Sequence, residues 1–149
     1  PNEAWNFRFG GTNAKHTFVD FVLSTRAADA LKNVNGKEMP QAPNFIANSE
    51  VTYKYKGARI ALEWQRIGPW FENQVNTRRY EGASVLNLRT GYTYKAYQIF
   101  ANVLNLGDAL YASAATRGNN ATDRATYTPA PPRTFVLGLQ IDVFQLFKK

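Results

Sequence analysis

The chain has 149 residues and a mass of 16.8 kDa, room for one domain with a sizeable core and too little for two. Its 18 Lys and Arg against 11 Asp and Glu give a formal charge of +7, and a composition of 44% hydrophobic, 14% aromatic and 19% charged residues excludes a disordered tail. No apolar run approaches the roughly 18 residues of a spanning helix, and the absence of Cys excludes disulfide scaffolds, thiolate metal sites and cysteine nucleophiles; a membrane β-barrel is not excluded.

The basic balance suits nucleic acid, anionic lipid or lipopolysaccharide, or an anionic ligand. The chain opens at Pro1 without a signal-peptide pattern, so a processed chain or a piece of a longer one is expected.

Trp5, Phe7 and Phe9 alternate with Asn6 and Arg8 and predict a short lead strand, because a strand turns residues i and i+2 to one face. The stretch 16–25 alternates partly, with Val19, Phe21 and Leu23 against Asp20 and Ser24, and reads as a weaker strand. A short helix fits 24–35, with Thr25 as its cap and Asn35-Gly36 as its stop. Over 45–56 the odd positions Phe45, Ala47, Ser49, Val51, Tyr53 and Tyr55 are mostly apolar or aromatic, while Asn48, Glu50, Thr52, Lys54 and Lys56 are polar. A tight turn at Gly57 leads into a second alternating strand, Ala58, Ile60, Leu62 and Trp64 against Arg59, Ala61, Glu63 and Gln65. A third sets Leu86, Leu88, Tyr92 and Tyr94 against Asn87, Arg89, Gly91 and Thr93, and ends at the tight turn Lys95-Ala96. The stretch 97–111 carries both a strand and a helical spacing; its position just after a tight turn, between strands, favours a strand. Near the end Phe135, Leu137, Leu139, Ile141 and Val143 alternate with Thr134, Val136, Gly138, Gln140 and Asp142.

The connections between strands are 26–44, the turn at Gly57, 69–82, the turn at Lys95-Ala96, and 112–132, so long and short alternate. In an up-and-down sheet every long loop then falls at one end and every tight turn at the other, the layout of outer-membrane barrels. Tyr53, Tyr55, Tyr92, Tyr94 and Tyr97 flank the tight-turn end, and Trp64, Trp70, Phe71 and Tyr111 lie toward the long loops, as two interfacial aromatic belts would require. The fold class expected is all-β: an antiparallel up-and-down transmembrane β-barrel segment, about seven strands of a larger barrel at 9 to 11 residues per strand. No repeat or linker divides 1–149 into domains.

The stretch Gly36-Lys37-Glu38-Met39-Pro40-Gln41-Ala42-Pro43 before a strand is similar to the lead into a late barrel strand of TonB-dependent outer-membrane receptors. Asn102-Val103-Leu104-Asn105-Leu106 with Ala109-Leu110-Tyr111 resembles their penultimate strand, and Pro132-Arg133-Thr134-Phe135 with Gly138-Leu139-Gln140 resembles their final one. The resemblance covers Gly36 to Val143 well and the first 35 residues loosely. It departs at Gly107, usually a larger residue, and at the tail Phe144-Gln145-Leu146-Phe147-Lys148-Lys149, which does not stop on an aromatic; Gly138, Ile141 and Val143 still resemble the signal read by the barrel-assembly machinery. The resemblance implies that 1–149 is the C-terminal segment of a receptor barrel of about 22 strands, with its plug domain absent here. It implies import of a scarce ligand, most often a ferric siderophore or similar iron complex, with partners in the plug domain, the remaining strands, the TonB energy-coupling complex, and outer-membrane lipid and lipopolysaccharide.

Enzymatic chemistry has little support. His16 is the single histidine, which forbids a multi-histidine metal site, and Arg8-Phe9-Gly10-Gly11-Thr12 lacks the spacing and lysine of a phosphate loop. No cofactor and no metal site are expected, and Asn120-Ala121-Thr122 matches a glycosylation acceptor by pattern only. Glu50, Lys54, Arg59, Glu63, Arg89 and Asp142 on the polar faces are expected to form charge ladders along a wet lumen. The candidate ligand-binding residues lie in the long loops: Trp70, Phe71, Arg78, Arg79 and Tyr80 in the first, and Arg117, Asn119 and Arg124, with Asn120 and Tyr127, in the second. Arginines among aromatics suit an anionic, ring-bearing ligand such as a ferric catecholate. The alternative is a soluble, lipocalin-like barrel whose greasy face encloses a small apolar ligand; a nucleic-acid-binding barrel is weakened by Glu50, Glu63 and Asp142. The two leading readings differ in direction: the importer turns Leu62, Leu86, Leu88, Leu137 and Leu139 to lipid and Glu63, Asn87, Arg89 and Gln140 to the lumen.

Overall fold

A computed structural model describes residues 4–23, 33–120 and 122–146. Six long strands form one antiparallel sheet: β1 (Trp5–Asn13), β2 (Phe45–Tyr55), β3 (Ala58–Ile67), β6 (Ala83–Tyr94), β7 (Tyr97–Leu104) and β10 (Thr134–Ile141), paired in that order. Two small hairpins, β4 (Trp70–Phe71) with β5 (Arg79–Tyr80) and β8 (Ala112–Arg117) with β9 (Ala125–Pro129), lie inside long connections, and a single helical turn α1 (Val143–Leu146) follows β10. The sheet is open, with β1 and β10 as its edges.

The turns account for the register. Lys56 and Gly57 both take positive φ, 44° and 84°, which the two-residue hairpin between β2 and β3 requires. Lys95, at φ 50°, turns β6 into β7. Tight turns therefore sit at one end, and the connections 14–44, 68–82 and 105–133 all leave from the other.

Direction is decided by one transverse row. Phe7, Val51, Leu62, Leu88, Val103 and Phe135 are register partners across all six strands, and the next row, Asn6, Thr52, Ala61, Arg89, Asn102 and Val136, points the opposite way. The apolar face is the uncovered one: Phe7 is 71% and Leu137 81% exposed, whereas Glu50 and Glu63 opposite are only 4% and 8% exposed. A barrel built to enclose an apolar ligand needs the reverse, so the lipocalin-like alternative loses its basis.

Inside, Glu50 and Glu63 face each other directly across β2 and β3, a like-charge pair that destabilises a sheet unless compensated. Arg8 donates to Glu50 at 2.7 Å, with Arg59 at 3.5 Å, and Arg89 donates to Glu63 at 2.7 Å. Asn48, Asn87 and Gln65 also donate to Glu63, at 2.8, 3.2 and 3.2 Å. The expected charge ladder is present among these residues.

The structure also revises several expectations. The stretch 16–23 contributes only isolated bridges, Thr17 to Glu38 and Val22 to Asn33, because Phe18 and Val22 interrupt a polar face that a half-buried strand needs. Of the helix read over 24–35, residues 24–32 fall outside the described residues; 33–35 are not helical, Asn33 bridging to Val22, and Gly36 beyond them has φ 79°. The strand read over 97–111 ends at Leu104, since Asn105 adopts φ 51° and turns the chain out of the sheet. Its side chain anchors that exit: Ala109 N donates to Oδ1 at 2.8 Å, and the Asn105 backbone N–H donates to Asn87 Oδ1 at 2.9 Å. Tyr53, Tyr55, Tyr92, Tyr94 and Tyr97 do share the outward face at the tight-turn end. Trp70, Phe71 and Tyr111 are not part of a second belt, however; the outward face toward the loops carries Phe9, Phe45 and Trp64, and Trp64 Nε1 is satisfied by Ser84 Oγ at 2.7 Å on the neighbouring strand.

Candidate functional site: the fused loops

The connection 68–82 folds back on itself as β4 against β5, pairing Trp70 with Tyr80 and Phe71 with Arg79. Its tip is shaped by Asn73, whose Oδ1 accepts Thr77 N at 3.0 Å and whose Nδ2 donates to Thr77 Oγ1 at 2.7 Å. Asn residues suit this work because a short amide imitates a backbone turn and tolerates left-handed φ, as Asn76 does at 58°.

The second hairpin, β8 with β9, docks onto the first. Glu72 is its receptor: the carboxylate is 4% exposed, accepts Arg117 Nε at 2.9 Å and Tyr127 Oη at 3.2 Å, and its carbonyl accepts Arg117 N at 2.9 Å. Asn73 Nδ2 donates to Gly118 O at 3.0 Å and Asn119 Nδ2 to Gln74 Oε1 at 2.9 Å. Ala112 N donates to Tyr80 Oη at 2.8 Å, so both ends of the hairpin are held. Partial desolvation of the Tyr127 phenol, with the charge of Glu72 and the bond to it, raises its pKa above the usual tyrosine value and keeps it a proton donor.

The third connection closes the cluster. Lys37 Nζ donates to Val75 O at 2.8 Å, Glu38 N to Asn76 Oδ1 at 2.7 Å, and Asn76 Nδ2 returns a bond to Glu38 O at 2.8 Å. Val34 and Val75 are buried in the loop cluster. The segment Gly36 to Pro43 thus straps the β4–β5 hairpin to the sheet, and Gln41 N donates to Phe71 O at 3.1 Å.

The structure therefore divides the eight candidate residues by task. Trp70 is buried, its ring 4.6 Å from Tyr80, with Nε1 donating to Ala115 O at 3.4 Å. Trp70, Tyr80, Arg117 and Asn119 join one loop to another. Arg79 lies 5.0 Å over the Phe71 ring and 3.8 Å from Glu38. Arg78 and Arg124 are exposed and form no ion pair among the described residues. Tyr80, Leu110, Tyr111, Ala112, Tyr127 and Pro129 line an apolar hollow of about 370 Å³, at which Leu110 is 98% exposed. Sequence reading missed Glu72, Asn73, Asn76 and Asn105. Glu72 had one available signal, a carboxylate directly after Trp70-Phe71 in a loop otherwise rich in Arg and aromatics.

No family model matches the sequence, and no curated protein is significantly similar to it in sequence. Solved structures are similar in fold. The ferric yersiniabactin uptake receptor FyuA from Yersinia pestis superposes with a TM-score of 0.73 at 20% identity, covering 95% of this chain and 21% of the receptor. The siderophore receptor PiuA from Acinetobacter baumannii gives 0.76 at 22% identity over 94% of this chain and 20% of its own. The ferric-catecholate import receptor Fiu from Escherichia coli K12 gives 0.68 at 23% identity over 94% and 19%. All three are receptors rather than enzymes, and the chain spans about a fifth of the length of each.

Proposed function

We propose that this chain, which has the fold of part of a siderophore-receptor barrel, is the C-terminal barrel segment of a TonB-dependent receptor that imports a ferric siderophore or similar iron complex through the outer membrane. The observation that carries the reading is the sheet itself: an apolar face open to the outside, a charged face turned inward, and a superposition that extends over nearly the whole chain. A bilayer and a plugged, wet lumen are the surroundings that satisfy both faces. The open edges at β1 and β10 would pair with the remaining strands, and the inward charges would meet the plug domain, through which the TonB complex acts.

On this reading the fused loops form the outer mouth. Arg78 and Arg124 supply uncommitted positive charge, the Phe71–Arg79 stack presents a cationic aromatic edge, and Trp70, Tyr80, Arg117 and Asn119 hold the hairpins in place. Lipopolysaccharide phosphates would be the ordinary neighbours of the same arginines. The test is ligand-dependent tryptophan quenching of the full-length receptor with ferric catecholates, ferric hydroxamates, haem and cobalamin. One iron complex is expected to bind, and Arg78→Ala with Arg124→Ala to weaken it by up to about 1.5–3 kcal/mol per desolvated contact, less where exposed. Absence of binding by any iron complex would remove the siderophore assignment, and unchanged affinity in the double variant would return the two arginines to the solvated surface.

A further inference from the structure

The two tight turns repeat one sequence pattern that hairpin geometry does not demand. Tyr53-Lys54-Tyr55-Lys56 closes β2 and Tyr92-Thr93-Tyr94-Lys95 closes β6, so each turn is Tyr-x-Tyr-Lys. Both terminal lysines occupy left-handed backbone, φ 44° and 50°, where Gly or Asn is the favoured choice. Each lysine then folds over the tyrosine before it: Lys56 Nζ lies 5.2 Å from the Tyr55 ring centroid and Lys95 Nζ 5.4 Å from that of Tyr94. Those tyrosines belong to the outward apolar face, so both ammonium groups are carried at its outer edge.

The turns are also neighbours. Thr93 N donates to Gly57 O at 2.8 Å, and a side chain at Gly57 would collide with the Thr93 carbonyl, so nothing stands between them. Register places Ala58 between Tyr55 and Tyr92, a small residue between two rings. The hollow of about 430 Å³ at this rim, bordered by Lys54, Lys56 and Arg59, opens on the inward face with Lys54 and Arg59 and is separate from the outward surface of the tyrosines. Arg59 is shared with Glu50 at 3.5 Å, and Asp142, beyond β10, accepts Phe144 N at 3.0 Å.

We propose that Lys56 and Lys95 bind the phosphate of an anionic phospholipid in the leaflet at the tight-turn end, with Tyr55, Tyr92 and Tyr94 packing against its glycerol and first methylenes. The inference rests on the reading of the sheet as membrane-spanning. The chemistry follows from the placement: ammonium groups at the headgroup depth of a barrel attract lipid phosphate, and the rings beneath them match the polar-to-apolar boundary.

The experiment reconstitutes the full-length protein into phosphatidylcholine bilayers containing phosphatidylglycerol and measures, by lipid mass spectrometry, the enrichment of each lipid that stays with the protein. Lys56→Gln with Lys95→Gln is expected to lower phosphatidylglycerol enrichment by roughly fivefold per lysine and leave phosphatidylcholine unchanged. Lys56→Arg with Lys95→Arg should retain it, and so should Lys15→Gln in the loop at the other end. Equal enrichment in wild type and the glutamine variant would overturn the proposal, as would displacement of the lipid by inorganic phosphate, which would make the site one for free anions. A protein that remained out of the bilayer altogether would instead overturn the membrane reading.

Discussion

Leu137→Arg tests the direction of the sheet most sharply. Leu137 is the fourth of eight residues in β10, a strand of roughly 27 Å, which at a tilt of about 45° spans close to 19 Å of bilayer height with Leu137 near its centre. The side chain is 81% exposed and lies on the uncovered apolar face, opposite Ala101. In water the replacement would be a surface change within about 0.5 kcal/mol. In a bilayer an arginine near the midplane costs roughly 2–4 kcal/mol. Gln140→Arg is the internal control: Gln140 is also exposed in this open sheet but faces the inner side, across from Gln98, so it should be tolerated in either medium. Equilibrium folding of the full-length protein into lipid vesicles, followed by tryptophan fluorescence across a guanidinium series, yields the difference directly. Equal costs for the two variants would refute the outward assignment of the apolar face and with it the importer.

Arg89→Ala removes the 2.7 Å bond to Glu63 and leaves that carboxylate facing Glu50, so a loss of about 1.5–3 kcal/mol is expected in the same folding assay. Arginine at Asn87 should be costly rather than tolerated, because Asn87 is buried and bonds both Glu63 and the Asn105 backbone; vesicle folding yield checks this. Arg117→Ala should release the β8–β9 hairpin from Glu72 and accelerate amide exchange over 112–129, with exchange in β3 and β6 unchanged. Tyr127 has its folded-state pKa raised, so its contribution to loop docking is complete below the unfolded value of about 10 and is lost as pH rises through the higher folded value. Loop exchange measured across that alkaline window should show the loss, and Tyr127→Phe should abolish the pH dependence.

The sequence by itself determined the sheet. Period-two alternation in 45–56, 58–65 and 134–143 and two tight turns carry strand, face and register together, because a one-residue slip would transpose every side chain between the apolar and the charged face. The alternation of long and short connections likewise fixed which end bears the loops. Tertiary structure alone decided what those loops do. Trp70, Arg117 and Asn119 have the composition of ligand contacts, yet each is spent on a neighbouring loop some 45 residues away in sequence, on Ala115, Glu72 and Gln74. No local pattern encodes such a partnership. Hydrogen bonds between loops depend on the space left when three connections crowd onto one end of a sheet, and a carboxylate such as Glu72 acquires its partners only once burial makes leaving it unpaired costly. The turns show the same division at smaller scale: Gly57 announces a hairpin and Lys56 and Lys95 each meet the tyrosine before them, but that the two turns adjoin follows only from the pairing of β3 with β6.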